Sequence, residues 1–342
     1  MADAERIQLA HGGGGQLTGE LVRDVILPAL GAGGSQAAEG LTDAAVLEVP
    51  PGRLAFTTDS YVVQPLEFPG GDIGKLAVCG TVNDLAVEGA RPLALSLGLV
   101  VQEGLEIALL RRVLESAGRA AAEAGVAIAT GDTKVVERTA LDGMVMNTAG
   151  VGVVSEKARL GFDRIAAGDR VVLSGPPGEH GLAVMCRREG LSLATELLSD
   201  CAALHELTAG LIERLGGAVR FLRDPTRGGV AATLVETAEG AKRDVEIVEA
   251  AIPVNRTAKS AAEMLGLDLL TVANEGKLVA VVADDAAEDA RALLAESPLA
   301  ARAAVIGTVG ETADVPCVEM ETEIGGRRIV QMPYGEELPR IC

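Results

Sequence analysis

A chain of 342 residues with 48% hydrophobic side chains exceeds what one ordinary core takes, so two domains are expected. The net charge of −19 sets a repulsive field against nucleic acid and anionic membranes, and 2% aromatics with no Trp leaves no platform for stacking bases. With neither a long apolar run nor a basic-then-apolar leader, a cytoplasmic protein is expected.

In chain order, His11-Gly12-Gly13-Gly14-Gly15 reads either as a loop whose bare amides could wrap phosphates or as a disordered arm. β-Branched runs at 54–63, 93–101, 126–136 and 144–154 predict strands. Between them, Leu76, Val78, Val82, Leu85 and Ala86 in 73–88, and Leu109, Leu110, Val113 and Leu114 in 106–124, stand at helical spacing. Alternating strand and helix indicates an α/β arrangement. Residues 155–169 end this half, and a strand at 170–174 opens the next. Helices are expected there at 181–189, 202–215, 228–241, 258–265 and 286–296, with strands at 218–222, 245–251, 277–283 and 304–309. Residues 333–342 hold two prolines and no periodicity, so a mobile tail is expected there, reaching at most about 33–36 Å. The expected division is a glycine-rich arm and helix (1–40), a first domain (41–155), a second (156–332) and the tail.

The usual nucleotide signatures fail. Gly70-Gly71-Asp72-Ile73-Gly74-Lys75-Leu76 lacks the first P-loop glycine, where Pro69 stands, and the Mg²⁺-binding hydroxyl, where Leu76 stands. Gly150-Val151-Gly152-Val153-Val154-Ser155 lacks the last glycine of a dinucleotide fingerprint and lies in a strand pattern. The five cysteines are far apart and form no C-x-x-C, which argues against a disulfide framework and a zinc site.

What remains is a set of carboxylates at strand ends and turns: Asp43, Asp59, Asp84 and Asp132, beside Thr, Asn and Gly residues. Magnesium takes a few carboxylates plus phosphate oxygens and water, so these four suit a Mg–triphosphate site without a P-loop, although each alone reads equally well as a cap or Asx-turn. Asp224-Pro225-Thr226-Arg227-Gly228-Gly229 follows a strand and opens a helix, where free amides and a guanidinium receive anions. Glu275, in Asn274-Glu275-Gly276-Lys277, is either a base or a turn carboxylate. Cys342, the last residue, carries a sterically free thiol whose reactivity depends on its thiolate fraction.

Phe56-Thr57-Thr58-Asp59-Ser60-Tyr61, Gly80-Thr81-Val82-Asn83-Asp84-Leu85, Gly131-Asp132-Thr133-Lys134, Asp224-Pro225-Thr226-Arg227, Asn274-Glu275-Gly276-Lys277 and the ending Pro339-Arg340-Ile341-Cys342 resemble the HypE family of hydrogenase maturation proteins over essentially the whole chain. The Asp-rich segments are shared with aminoimidazole ribonucleotide synthetase, selenophosphate synthetase and thiamine-monophosphate kinase; the ending, taken with His11–Gly15, is particular to HypE. The resemblance implies two α/β domains with mixed sheets, a homodimer whose first-domain sheets pair into a barrel, and ATP with Mg²⁺ in the first domain. It implies that Asp43, Asp59, Asp84 and Asp132 serve ATP and its metal, that Lys75, Asn83, Thr133, Asp224 and Arg227 complete the nucleotide site, and that Lys134 and Glu275 lie near the reacting amide. It further implies a carbamoyltransferase partner, HypF, that loads Cys342, dehydration of the thiocarboxamide to a thiocyanate, and delivery of cyanide to iron on a HypC–HypD complex. One departure stands out: some family members have His before Glu in the helix after Thr-Arg-Gly-Gly, whereas this chain has Val235-Glu236, so no catalytic histidine is expected there. Selenophosphate synthetase is a weak rival, because this glycine-rich loop holds no cysteine, and a non-catalytic nucleotide-bound adaptor is the rival of another class.

Overall fold

The computed structural model describes residues 6–13, 15–31, 34, 44–191, 193 and 195–333; Asp43 and Cys342 lie outside them. Short helices α1 (Gln16–Leu21) and α2 (Leu27–Leu30) precede the first sheet. That sheet is built from β1 (Leu54–Tyr61), then, after a two-residue hairpin of β2 (Glu67–Phe68) and β3 (Gly71–Asp72), from β4 (Ala90–Gln102), β5 (Ala127–Val136) and β6 (Met144–Val154). Its order is β1-β6-β4-β5, with β4 and β5 parallel and the other neighbours antiparallel. Helix α3 (Ile73–Val87) starts where the Asp72 carboxylate accepts the Gly74 and Lys75 N–H groups at 2.8 and 3.0 Å, a cap for otherwise orphaned donors. It is apolar nearly all round and buried nearly all round. One side packs on the sheet, another on α4 (Ile107–Glu123), the crossover between β4 and β5, and the remainder on the second domain.

Register decides which side chains share a face. Asp59 pairs with Thr148, Thr148 with Leu97, and Leu97 with Gly131, so these four lie in one row on the face toward α3. Residues one step along point to the opposite face, which therefore carries Ser60, Asn147, Gly98 and Asp132, with Lys134 two positions on. Among the described residues nothing covers this outer face; Phe56 on it is 72% exposed.

The second sheet comprises β7 (Arg170–Leu173), β8 (Val219–Arg223), β9 (Arg243–Val248), β10 (Val279–Val282), β11 (Ala304–Thr312), β12 (Val318–Glu321) and β13 (Arg327–Val330), in the order β13-β12-β9-β11-β7-β10-β8. All neighbours are antiparallel except β12 and β9. Alternate residues of β7 and β10 feed two apolar cores, one on each face, which accounts for the unbroken apolar run Val279-Ala280-Val281-Val282. Helices α5 (Glu179–Arg188), α6 (His205–Leu215), α7 (Gly229–Ala241), α8 (Arg256–Leu265) and α9 (Ala287–Ala295) complete the domain. Val184, Met185, Cys201 and Ala273 join the first domain's core, so the two halves share apolar packing. Among the described residues no helix is long and apolar enough to cross a membrane.

Several boundaries differ from the sequence reading. Strand β4 begins at Ala90, before Pro92, because the register slips between Pro92 and Ala94 and the proline falls at that irregularity. Helix α6 begins only at His205, and the expected strand at 245–251 ends at Val248 in a single 3-10 turn. The β12–β13 hairpin was not anticipated. The described part of the glycine-rich arm is docked rather than loose: Ile7 N–H donates to the Leu105 carbonyl at 2.8 Å, and a methyl at Gly12 would lie 2.6 Å from the Val135 nitrogen.

Candidate active site

Four carboxylates reach one small cleft from four separate elements. Asp59 comes from β1, Asp84 from the last turn of α3, Asp224 from the loop after β8, and Glu275 from the segment leading into β10; Tyr61, Thr226 and Arg227 complete the lining. Thr57 Oγ1 donates to Asp84 Oδ2 at 2.7 Å, and the Ser60 N–H donates to Asp59 Oδ1 at 2.7 Å. Arg227 Nη2 stands 4.0 Å from Asp59 Oδ1 and is well exposed, so solvent screens that pair.

The loops are fixed by their backbones. Asn274 Nδ2 donates to the Pro225 carbonyl at 2.8 Å, and its own N–H does so at 3.1 Å, which ties the Glu275 segment to the Asp224 loop. The Glu275 N–H donates to Asp200 Oδ1 at 3.1 Å, while the Glu275 carbonyl accepts from Asn83 Nδ2 at 3.3 Å. Gly276 follows because nothing larger fits: an added methyl would sit 1.8 Å from the Asp200 carbonyl oxygen. Gly276→Ala is therefore expected to destabilise the chain by about 1–3 kcal/mol. Denaturant unfolding reads this, and an unchanged midpoint would count against the packing described.

Electrostatically the cleft crowds carboxyl groups together, and the two most buried of them resist ionisation. Burial, reinforced by Asp224, Asp200 and Asp59, pushes the Glu275 carboxyl well above the usual carboxylate range. Burial likewise raises Asp84 against the Thr57 hydrogen bond, and raises the Tyr61 phenol. Asp224 is pushed up to about 7, by burial first and the Asp84 charge second. An acid raised in this way favours the fold while it holds its proton; the contribution is full below about pH 4 and is lost as pH rises through about 7. Asp224→Asn is accordingly expected to stabilise the cation-free protein more at pH 8 than at pH 5, by on the order of 2–3 kcal/mol. Unfolding at the two pH values tests this, and an equal effect at both would refute it.

A group of buried carboxylates with so little positive charge fits a divalent cation. Among the described residues no three side chains by themselves form a ligating set.

The remaining expected residues are distributed unevenly. Asn83 is not free for nucleotide: its Nδ2 donates to the Ala202 and Glu275 carbonyls at 3.1 and 3.3 Å and its Oδ1 accepts the Leu204 N–H at 2.8 Å, so it brackets the two domains. Lys75 Nζ donates to the Gly70 carbonyl at 3.2 Å and does not line the cleft. Asp132 and Thr133 border a different hollow, under α1 and α2, of about 640 Å³. Asp132 and Lys134 lie three strands from Asp59, about 14 Å at the usual strand spacing, and on the other face of the sheet. The four-aspartate set expected from sequence is thus not assembled within one chain: Asp59 and Asp84 meet, Asp132 stands apart, and Asp43 lies outside the described residues. Asp200, Glu179 and Lys277, which surround Glu275 from behind, were not expected; Lys277 alone lay in a quoted segment.

The chain's last described residue returns to this place. Gly228 adopts φ +76°, and a methyl added there would lie 3.6 Å from Pro333 Cδ, so Pro333 rests on the loop that carries Asp224 and Arg227.

Two family matches divide the chain: the AIR synthase related protein, N-terminal domain, over residues 41–154, and its C-terminal domain over 166–316. The carbamoyl dehydratase HypE of Rhizobium leguminosarum bv. viciae is 48% identical over 342 residues, covering 98% of this chain and 95% of that protein. The chain belongs to the HypE family. HypE of Escherichia coli K12, also named a carbamoyl dehydratase, is 45% identical over 98% of this chain and 99% of its own length. A HypE crystallised in complex with ATP superposes with a TM-score of 0.93 at 43% identity, covering 98% of this chain and all of that one, and a HypE from a HypE–HypF complex superposes at 0.79 with 45% identity, covering 82% and 90%. A thiamine monophosphate kinase from Aquifex aeolicus, 16% identical with a TM-score of 0.60 over 82% of this chain and 89% of that one, shares the fold alone. The expected α/β architecture with mixed sheets in two AIR synthase-type domains is the one found. As a HypE, the chain is a carbamoyl dehydratase of hydrogenase maturation.

Proposed function

We propose that this chain uses ATP and Mg²⁺ to dehydrate a carbamoyl group carried on the Cys342 thiol, leaving a thiocyanate. The observation that carries the reading is the meeting of the carboxylate cleft with the root of the tail: Pro333 rests on the Asp224–Arg227 loop, and the residues 334–342 beyond it span at most about 30 Å. By length alone, a thiol at the end of that segment can reach the cleft. The ATP-bound HypE relative supports the nucleotide, and the HypE–HypF complex supports HypF as the partner that loads the thiol; a HypC–HypD complex on the iron side and a cytoplasmic setting complete the proposal.

An amide oxygen is a poor leaving group, and bound ATP supplies the phosphoryl group that turns it into one. A magnesium ion beside Asp59 and Asp84, with phosphate oxygens and water filling its shell, would offset the charge of the carboxylates and of the phosphates. The rest falls to the chain itself. Glu275 takes a proton from the amide nitrogen as the C–O bond breaks, and a raised carboxyl is suited to hold it. Arg227 stands at the mouth to meet anionic oxygens. Closure of the tail over the cleft keeps water from the activated carbon.

Lys134 and Asp132 enter through a homodimer. The edge strands of the sheet are β1 and β5, the latter bridged at Ile128 by Gly34, and one face carries small side chains such as Thr58, Ser60, Ser96, Gly98 and Ala149. Joining β1 of one copy to β5 of the next closes an eight-stranded barrel with no edge left over. That pairing sets the partner's Asp132 and the partner's Lys134 one strand from Asp59 instead of three, with their side chains on the barrel's inner face and Asp59 on the outer.

Intact-protein mass spectrometry after incubation with HypF, carbamoyl phosphate and ATP tests the proposal. The expected record is one carbamoyl added at Cys342, followed by loss of one water when the nucleotide is hydrolysable. Modification on another side chain would overturn it.

A further inference from the structure

Behind Glu275 lies a buried ion cluster with no part in the chemistry above. The Lys277 ammonium, 5% exposed, stands 2.9 Å from Glu179 Oε2 and 3.1 Å from Asp200 Oδ2. Burial works against that charge, and Asp200 and Glu179 together outweigh it, holding Lys277 protonated. Both carboxylates have a second task. Glu179 Oε1 accepts from Asn255 Nδ2 at 2.6 Å, and Asn255 is itself the cap of α8. Asp200 Oδ1 accepts the N–H of Glu275 at 3.1 Å. A continuous line of polar contacts therefore runs from the start of α8 through Glu179, Lys277 and Asp200 to the backbone of the residue assigned as the base.

A buried salt bridge is weak evidence for stability, because desolvation consumes much of what the pairing returns. Its better-attested use is to fix one arrangement among several. Here the arrangement fixed is the peptide before Glu275, while Asn83 holds the peptide after it. Lys277 stands two residues on, past the bend at 275–276, so its ion pairs tie down the chain on the far side of that bend. Gly175 leaves room for the lysine stem, whose Cε would lie 3.3 Å from a methyl there.

We propose that Asp200, held by Lys277 and Glu179, is the positioning residue for Glu275, setting the carboxyl's direction through its backbone. The inference rests on Glu275 being the base. It differs from a plain packing role in what it requires of position 200: a hydrogen-bond acceptor, more than a charge.

The test is single-turnover dehydration in the full chain, carbamoylated beforehand by its HypF partner and read as loss of water from the intact mass, with ATP affinity measured alongside by calorimetry. Asp200→Ala is expected to slow the step by about 100-fold, the scale of an ångström-sized misplacement, with the ATP Kd unchanged. Asp200→Asn keeps the acceptor and is expected to stay within about tenfold of the parent. Since Lys277 acts through Asp200, adding Lys277→Met to Asp200→Ala should cost nothing more. Equal losses in the Ala and Asn variants, losses that multiply in the double variant, or a parallel fall in ATP affinity would each overturn the proposal. Glu275→Gln separates the two layers. If it dehydrates at the parental rate, the base assignment has failed; if it is inert while Asp200→Ala is normal, only the positioning role has.

Discussion

Cys342→Ala is expected to take up no carbamoyl group and to lose hydrogenase maturation altogether, a fall of at least about 1000-fold, since a missing nucleophile has no substitute nearby. The described cysteines explain why. Cys79, Cys186 and Cys201 are buried, and burial raises the Cys186 thiol. Cys201 is raised well above the usual thiol range by its hydrogen bond with Cys79 and then by burial. Cys317 is partly exposed but is likewise raised, by burial and its contact with Asp244, and it lies on the segment entering β12. None offers an accessible thiolate to a carbamoyl donor. ATP binding in the Ala variant should be normal, because the cleft carboxylates are untouched. A Cys342→Ala protein that still matures hydrogenase would favour the adaptor reading, in which the chain docks its partners without chemistry of its own.

The second large effect concerns the barrel. Asp84→Asn and Lys134→Ala are each expected to lower dehydration by at least about 100-fold, as loss of a charge facing the transferred phosphoryl group does. If each site draws Asp84 from one copy and Lys134 from the other, a dimer made of one variant of each kind carries one doubly altered site and one intact site. Random pairing of equal amounts then restores about a quarter of the parental activity. Co-expression with two affinity tags isolates the mixed dimer, in which one intact site of two should give about half of the parental activity. Activity no higher than that of the separate variants would mean that both residues act within one chain, and the barrel closure would have to be given up.

Much of the architecture was legible because the signals were local. Asp72 ahead of an apolar stretch marks the start of α3, and the unbroken Val279–Val282 run marks a strand covered on both faces. The β12–β13 hairpin carried a fair signal too: buried Val318 and Met320 alternate with Glu319 and Glu321, ahead of a Gly325-Gly326 turn. The site was legible in its residues but not in its grouping. Asp59 and Asp132 both end apolar runs, yet β6 and β4 intervene between their strands, and a single step of register turns Asp132 to the far face. Nothing in spacing reveals strand order. Asn83 sits in an Asp-rich segment and looked like a nucleotide ligand; only its contacts with Ala202, Leu204 and Glu275 reveal an interdomain role. Asp200, in a stretch without pattern, gave no sign at all.

The Asn83 bracket bears on how the reaction is started and stopped. One helix carries Asp84 into the cleft and, a residue earlier, clasps the peptide of Glu275, so the carboxylate proposed to face the phosphates and the proposed base share a single mount. Parting the halves to admit a substrate would dismantle the catalyst along with the doorway. Under the proposed reading, then, entry and exit fall to the carrier thiol and not to a movement of the domains.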